Sequence, residues 1–487
     1  MKIVHIASEA SPFAKTGGLA DVTGALPAAL AALGDDVTVI MPFYGRMMET
    51  RGFGAEPIPP PAGEIEVQLA GRRLKARLLK TKLPGGVTVY FISEPSLYDR
   101  ENLYGTAAGD YPDNASRFIF FSRAAIEVMI ALGVKPEIVH VHDWQAALVP
   151  VYLSTLYNNL KAFARTKTAL TIHNLGYQGL FPREKMVKTG LGWKHFTFDQ
   201  LEYWGQIGFL KGGIAFSDAI TTVSPKYAQE ILTPEQGMGL EAALDFRKSD
   251  LTGILNGIDY GVWDPAKDEL IPAQFGPRSM KGKAECKEAM RLKLKLPMRK
   301  GVPVIGMVGR LTSQKGLDIF EEALPELMKR DLQFAILGTG EQRYHKLLKR
   351  SAAEYPDRIG LEIAFDEEDA HLIEAGSDLF LMPSRYEPCG LNQMISLKYG
   401  TIPIVRATGG LDDSIEQFDP RTRRGTGFKF VGYTPEALIA AVDLALEVYK
   451  VAPEMKALRQ NAMKCDFSCS RSAKEYRKLY RNILKKH

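Results

Sequence analysis

Short runs of apolar and β-branched residues alternate with helix-period patterns along most of the chain. That alternation constrains the fold more than any other feature. Strands separated by helices assemble into parallel sheets with helices on their faces, which is the α/β class. In the first half, strands are expected at 2–8, 36–41, 87–93, 137–142, 167–173 and 218–223. Residues 55–80 break the rhythm: Glu64 to Leu69 and Arg72 to Leu79 alternate, and predict an antiparallel excursion. Pro27 interrupts the first helical pattern, predicting a short helix near 19–24 and a second from Pro27. Glu94 to Asp113 reads as a long loop, functional or disordered.

A second strand–helix series begins at Val302, with strands expected at 303–308, 333–338, 361–364, 378–382 and 402–406. Between the two series, Asn256-Gly257-Ile258-Asp259 is turn chemistry, and 264–300 is polar with several prolines and lysines. A length of 487 residues is too great for one core. The expected domains are therefore 1–255 and 256–468. Residues 469–487 form a final helix: Ser472 to Glu475 matches a capping box, and Tyr476, Leu479, Tyr480 and Ile483 mark one face. That face is expected to pack on the first domain.

Composition narrows the function classes. A net charge of +5 is small for this length, and no basic stretch carries the interleaved aromatics that grip nucleic acid. There is no apolar stretch of membrane-spanning length, and the opening Met-Lys-Ile-Val-His-Ile is already a strand rather than a targeting segment. Cys286, Cys389, Cys465 and Cys469 are scattered, with the last two spaced as two thiols on one helix. Reduced cysteines and a cytoplasmic location are the expectation.

The chemistry-bearing motifs sit where strands run into helices. Lys15-Thr16-Gly17-Gly18-Leu19-Ala20-Asp21 follows the first strand. A glycine pair at such a junction lets an anion approach free backbone N–H groups, and Lys15 adds a cation. On these seven residues alone, an ordinary βα turn with a solvated lysine is the better reading. Gly309-Arg310-Leu311-Thr312-Ser313-Gln314-Lys315-Gly316 places two cations on one loop, which suits phosphate oxygens; surface ion pairing is the alternative. In Ser384-Arg385-Tyr386-Glu387-Pro388-Cys389-Gly390-Leu391, Glu387 does not suit phosphate but suits sugar hydroxyls, beside the backbone N–H groups of Cys389 to Leu391. Thr408-Gly409-Gly410-Leu411 repeats the design. In the first half, His140 and His142 share a strand face. A metal would need a third ligand, so no metal is expected. Asp143 and Trp144 at that strand end suit a polyhydroxylated acceptor, and His173 ends the next strand.

Together these motifs, with His173-Asn174, Tyr177-Gln178-Gly179 and Asn256-Gly-Ile-Asp259, resemble bacterial and plant glycogen and starch synthases over nearly the whole chain. The resemblance implies the GT-B fold: two Rossmann-like domains with parallel sheets facing across a cleft. It implies retaining glucosyl transfer from ADP-glucose to the non-reducing 4-hydroxyl of an α-1,4-glucan such as glycogen. Carried over residue by residue, Lys15, Arg310 and Lys315 hold the diphosphate. Glu387 binds glucose hydroxyls, with Cys389, Gly390 and Leu391 giving backbone contacts, and His173 lies against the transferred sugar. Gly17, Gly18, Asp21, Asn256, Thr408 and Gly409 complete the donor set, with Asn256 at the hinge. Tyr104, Asp143 and Trp144 line the acceptor side. Related retaining transferases often carry Glu-x7-Glu; here the second position is Ile395.

No Asp-x-Asp signature is present, so fixed cations and helix N-termini are expected to replace a divalent metal, with no cofactor. Without a convincing carboxylate nucleophile, the expectation is same-face attack, the departing phosphate accepting the proton of the glucan hydroxyl. The rival readings are a related transferase using UDP-glucose or another acceptor, and a non-catalytic glucan or nucleotide sensor on the same fold. A dinucleotide oxidoreductase lacks its G-x-G-x-x-G signature.

Overall fold

The structure is a computed structural model that describes residues 1–487 except 46–47, 49–52, 107–108, 365 and 487. The chain divides into two compact units, Met1–Gly257 with Cys469–His487, and Ile258–Ser468.

The first unit is built on a ten-stranded sheet. Its parallel part runs Leu251–Gly253, Ala219–Thr222, Lys167–Ile172, Ile138–His142, Lys2–Ile6, Asp36–Pro42, Thr88–Ser93. These strands are short apolar runs buried on both faces, as a helix-covered parallel sheet requires. The excursion is antiparallel: Glu64–Leu69 pairs with Arg72–Lys82, and their alternating burial shows one solvated face.

Two local expectations are corrected. Gly18–Ala32 is one helix that passes through Pro27. A proline costs about 3 kcal/mol in a helix interior, but here Leu19, Ala20, Val22, Thr23, Leu26, Pro27 and Leu30 form one continuous buried face. Burying several such side chains contributes on the order of 2 kcal/mol each, which outweighs the break. The described part of 94–113 is not structureless. It holds the helix Pro95–Tyr98 and the paired strands Gly105–Thr106 and Gly109–Asp110, with residues 107–108 outside the described part. The wholly buried Arg117 fastens it by donating to the carbonyls of Leu97 and Leu103, while Arg100 pairs with Asp113.

The final helix, Cys469–Lys485, belongs to this unit. Tyr476, Tyr480 and Ile483 are buried. Ser472 is not the N-cap: it lies inside the helix and donates its hydroxyl to the Leu255 carbonyl at 2.6 Å. Cys465 and Cys469 are not on one helix, because Cys465 ends Ala452–Lys464 and Cys469 opens the next. All four cysteines are free thiols.

The second unit has a six-stranded parallel sheet in the order Ile359–Glu362, Gln333–Leu337, Val304–Val308, Leu379–Met382, Ile402–Arg406, Phe428–Phe430. Its third element in sequence, expected at 361–364, lies two residues earlier. No described helix is long and apolar enough to cross a membrane.

Candidate active site

In an open parallel sheet, ligands bind beyond the carboxyl ends of the strands where the strand order reverses, because successive connections there leave in opposite directions. Each unit has one such point, and the motifs lie on the loops beside it. In the second unit it falls between Val304–Val308 and Leu379–Met382, which pair in register at Ile305–Leu379. The loop after the first strand carries Arg310 and Lys315; the loop after the second carries Glu387 to Leu391.

These two loops meet directly. The Lys315 ammonium donates to Glu387 Oε2 at 2.5 Å, and Ser384 Oγ donates to the same oxygen at 3.1 Å. Glu387 is 5% exposed, so this pairing compensates a buried carboxylate. Gly316 locks the approach: its φ is +77°, and a Cβ there would stand 2.0 Å from the Pro383 carbonyl oxygen. Arg310 lies on the exposed side of the loop, its Nη2 3.3 Å from Gln314 Oε1. The third glycine turn closes on the second. Gly410 N–H donates to the Glu387 carbonyl at 3.1 Å, and a Cβ on Gly409 (φ +45°) would sit 2.0 Å from that same oxygen. Thr408, 2% exposed, precedes the helix Gly409–Ser414 in extended conformation. Cys389 is 5% exposed, Gly390 has φ +69°, and Leu391 opens Asn392–Lys398.

In the first unit the reversal falls at Lys2–Ile6, flanked by Asp36–Pro42 and Ile138–His142. The loop leaving it carries Lys15, whose Nζ donates to Asp21 Oδ1 at 2.5 Å, and leads through Gly17 to the helix beginning at Gly18. A Cβ on Gly17 would meet nothing within 4 Å, so the turn stands open to close approach. The N–H groups expected to be free here are not all free. Glu9 takes the Thr16 N–H at 2.5 Å and the Thr16 hydroxyl at 2.8 Å. Burial pushes the Glu9 carboxyl up, and bonds from Tyr104 and from Thr16 and Gly17 oppose this only in part. Tyr104, expected on the acceptor side, donates its hydroxyl to Glu9 Oε1 at 2.6 Å and lies 2.7 Å from Ser8 Oγ. Glu9 thus ties both loops to the first strand. Nothing local in the sequence marks it, since its partner Tyr104 is 95 residues away.

Asp143 follows its strand with φ +54° and accepts the His173 backbone N–H at 2.7 Å. Burial pushes its carboxyl up to about 7, against the pull of N–H groups from His173 and Asn174. Its carboxylate holds the turn that carries His173. Trp144, expected to stack on an acceptor, is 8% exposed, with Phe118, Phe181 and Phe209 packed around its ring. Asn256 is 5% exposed, and its Oδ1 has no partner among the described residues.

The third imidazole that a metal at His140 and His142 would require does exist. His5 pairs with His140 in register across the sheet, and one ligand atom from each of the three lies within 4.8 Å of the others. Both nitrogens of His140 and both of His142 are engaged by side chains instead. His140 Nδ1 meets Tyr480 Oη at 2.7 Å and its Nε2 meets Thr171 Oγ1 at 2.6 Å. His142 Nε2 meets His5 Nδ1, and its Nδ1 meets His173 Nε2, each at 3.0 Å. Of the ring nitrogens in this cluster, His5 Nε2 alone has no hydrogen-bond partner among the described residues.

Comparison with known proteins decides the family. The starch synthase catalytic domain family matches residues 2–246, and the glycosyl transferases group 1 family matches 291–464. A glycogen synthase of Anaeromyxobacter dehalogenans is 47% identical over 99% of this chain and 100% of its own length. One from Koribacter versatilis is 48% identical over 99% of this chain and 98% of its own. The chain belongs to the glycogen and starch synthase family. The catalytic domain of starch synthase IV from Arabidopsis thaliana, solved with ADP and acarbose bound, superposes with a TM-score of 0.92 at 34% identity, covering 99% of each chain. Sucrose-phosphate synthase from Thermosynechococcus elongatus, at 17% identity and TM-score 0.60, shares the fold.

The fold is therefore GT-B and the chain is a glycosyltransferase. Within that fold, the second unit offers a cationic loop, a buried carboxylate and two glycine turns on one strand edge. The first offers Lys15 at an open turn and an imidazole at the end of a buried chain of rings.

Proposed function

We infer that the enzyme transfers glucose from ADP-glucose to the non-reducing 4-hydroxyl of an α-1,4-glucan, glycogen included, with retention at the anomeric carbon. The observation that carries this reading is the whole-length likeness to a starch synthase catalytic domain that binds ADP and acarbose. Breaking the bond between glucose and phosphate leaves an oxocarbenium-like sugar and a more negative diphosphate. Arg310, Lys315 and Lys15 are the groups that stabilise the diphosphate, with no divalent metal and no cofactor. Glu387 orients the glucose hydroxyls. Its bond with Lys315 gives that loop its shape before the donor arrives, so the donor meets a preorganised set of charges. The phosphate oxygen leaving one face of the sugar takes the proton of the attacking glucan hydroxyl on that same face. No carboxylate is required as nucleophile, consistent with Ile395 standing at the second position of the Glu-x7-Glu pattern.

Four free thiols and the absence of a membrane-spanning helix among the described residues fit a cytoplasmic enzyme. Turnover measured side by side with ADP-glucose and UDP-glucose, on glycogen, tests the donor. Faster transfer from UDP-glucose would overturn the assignment. Anomeric analysis of the product by NMR tests retention, and a β-linked product would refute it.

A further inference from the structure

The first unit buries a layer of polar side chains on one face of its sheet. His5, His140, His142, Thr171 and Thr221 come from four strands, and all are 0% exposed. Within it, three imidazoles form a chain from the core to the strand edge: His5 Nδ1 to His142 Nε2, then His142 Nδ1 to His173 Nε2, both at 3.0 Å. His173 is 9% exposed and ends the chain on the ligand side.

Hydrogen bookkeeping restricts this chain to two states. Burial holds all three rings neutral: His5 and His173 fall to about 3, and His142 lies well below the ordinary histidine range. Three neutral rings carry three protons, one each. Each of the two bonds needs one donor and one acceptor. Either every ring donates outward from His5, or every ring donates inward from His173. The end groups decide between them. His5 Nε2 is buried without a partner among the described residues. The inward state would put an N–H there, aimed at nothing, and orphaned buried N–H groups are rarer than under-satisfied acceptors. The outward state leaves only a lone pair at that point.

Building on the glucosyl-transfer reading, we propose that His142 and His5 are positioning residues that fix the tautomer of His173, placing its proton on Nδ1. His173 then presents a fixed N–H donor to an oxygen of the transferred sugar rather than a lone pair. His142 sets both the tautomer and the ring plane. Asp143 fixes the same residue from the backbone side, through the 2.7 Å bond to its N–H. Without the chain nothing holds the proton on one nitrogen, so the donor at Nδ1 would be lost for part of the time.

The test is a histidine-selective 15N-labelled protein, which has only eight histidines to assign. Long-range 1H–15N correlation reads each ring nitrogen as protonated or bare. The wild type is expected to show His173 with Nδ1 protonated and Nε2 bare; the reverse would overturn the proposal whether or not the enzyme transfers glucose. His142→Leu removes the donor that holds His173 Nε2 bare, so His173 is expected to show a mixture of both tautomers. If the variant transfers glucose at all, kcat should fall roughly 10- to 100-fold, the loss typical when the partner orienting a functional imidazole is removed, with KM for the donor little changed. His142→Gln supplies one donor and one acceptor and should retain the wild-type tautomer and most of kcat. An unchanged His173 spectrum in His142→Leu, or equal losses in the Leu and Gln variants, would show that His142 merely fills space.

Discussion

At the scale of single residues, the site depends on charges held in unusual settings. Asp143 is the clearest case. Its folded carboxyl titrates at about 7 because burial opposes ionisation. A carboxyl raised in the folded state favours folding most fully below its unfolded pKa, about 4, and that contribution is lost as pH rises through the folded value. An asparagine side chain at this position would keep an oxygen for the His173 N–H and tolerate the positive φ, with no charge to bury. Asp143→Asn should therefore raise Tm relative to wild type at pH 8, by a stability gain of up to about 4 kcal/mol, and the gap should shrink toward pH 5. A gap independent of pH would contradict the raised carboxyl. Lys315 and Glu387 form the second case. Lys315→Ala should cost ~3 kcal/mol of transition-state stabilisation, roughly a hundredfold in turnover. A modest fall in Tm should accompany it, because Glu387 loses its partner. Glu387→Gln keeps the Ser384 bond and should impair glucose transfer more than ADP binding; equal losses of both would mark Glu387 as structural.

At the scale of elements, the last helix reaches the buried polar layer behind the site through Tyr476 and Tyr480, whose rings pack on His140. Tyr480 reaches His140 at 2.7 Å across 340 residues of sequence, and both are fully buried. Tyr480→Phe removes the hydroxyl and leaves His140 Nδ1 without that partner. The expected cost is about 1–3 kcal/mol in denaturant unfolding. Combined with His140→Leu, which also loses the Thr171 bond, the double variant should lose less than the sum of the two single losses, since the orphaned nitrogen then disappears; fully additive losses would show that the two rings do not interact. How much of this is legible in the sequence follows from range. The strand ends and their glycine turns can be read locally, because a buried parallel strand is a continuous apolar run and a glycine pair after it marks the turn. Lys15, Arg310, Lys315 and Glu387 fall on those turns for that reason. Glu9 and His5 cannot be read, because each acquires its meaning from a distant residue, Tyr104 or His142, brought near only by the fold. The Phe118, Phe181 and Phe209 neighbours of Trp144 cannot be read either, because a tryptophan at a strand end looks the same in sequence with or without them. Pro27 misleads because a proline's local cost is visible in sequence and the helix's buried face is not.

At the scale of the whole molecule, each unit places its functional loops at the one point where its strand order reverses, which is why residues as distant as 315 and 387 touch. The central claim is that protein cations, rather than a metal ion, stabilise the departing diphosphate. It is tested most directly by the rate of ADP release from ADP-glucose with glycogen as acceptor, in excess chelator and again with added magnesium. The account predicts equal rates in both, falling about a hundredfold in Lys315→Ala under either condition. Transfer abolished by chelator and restored by magnesium would contradict it.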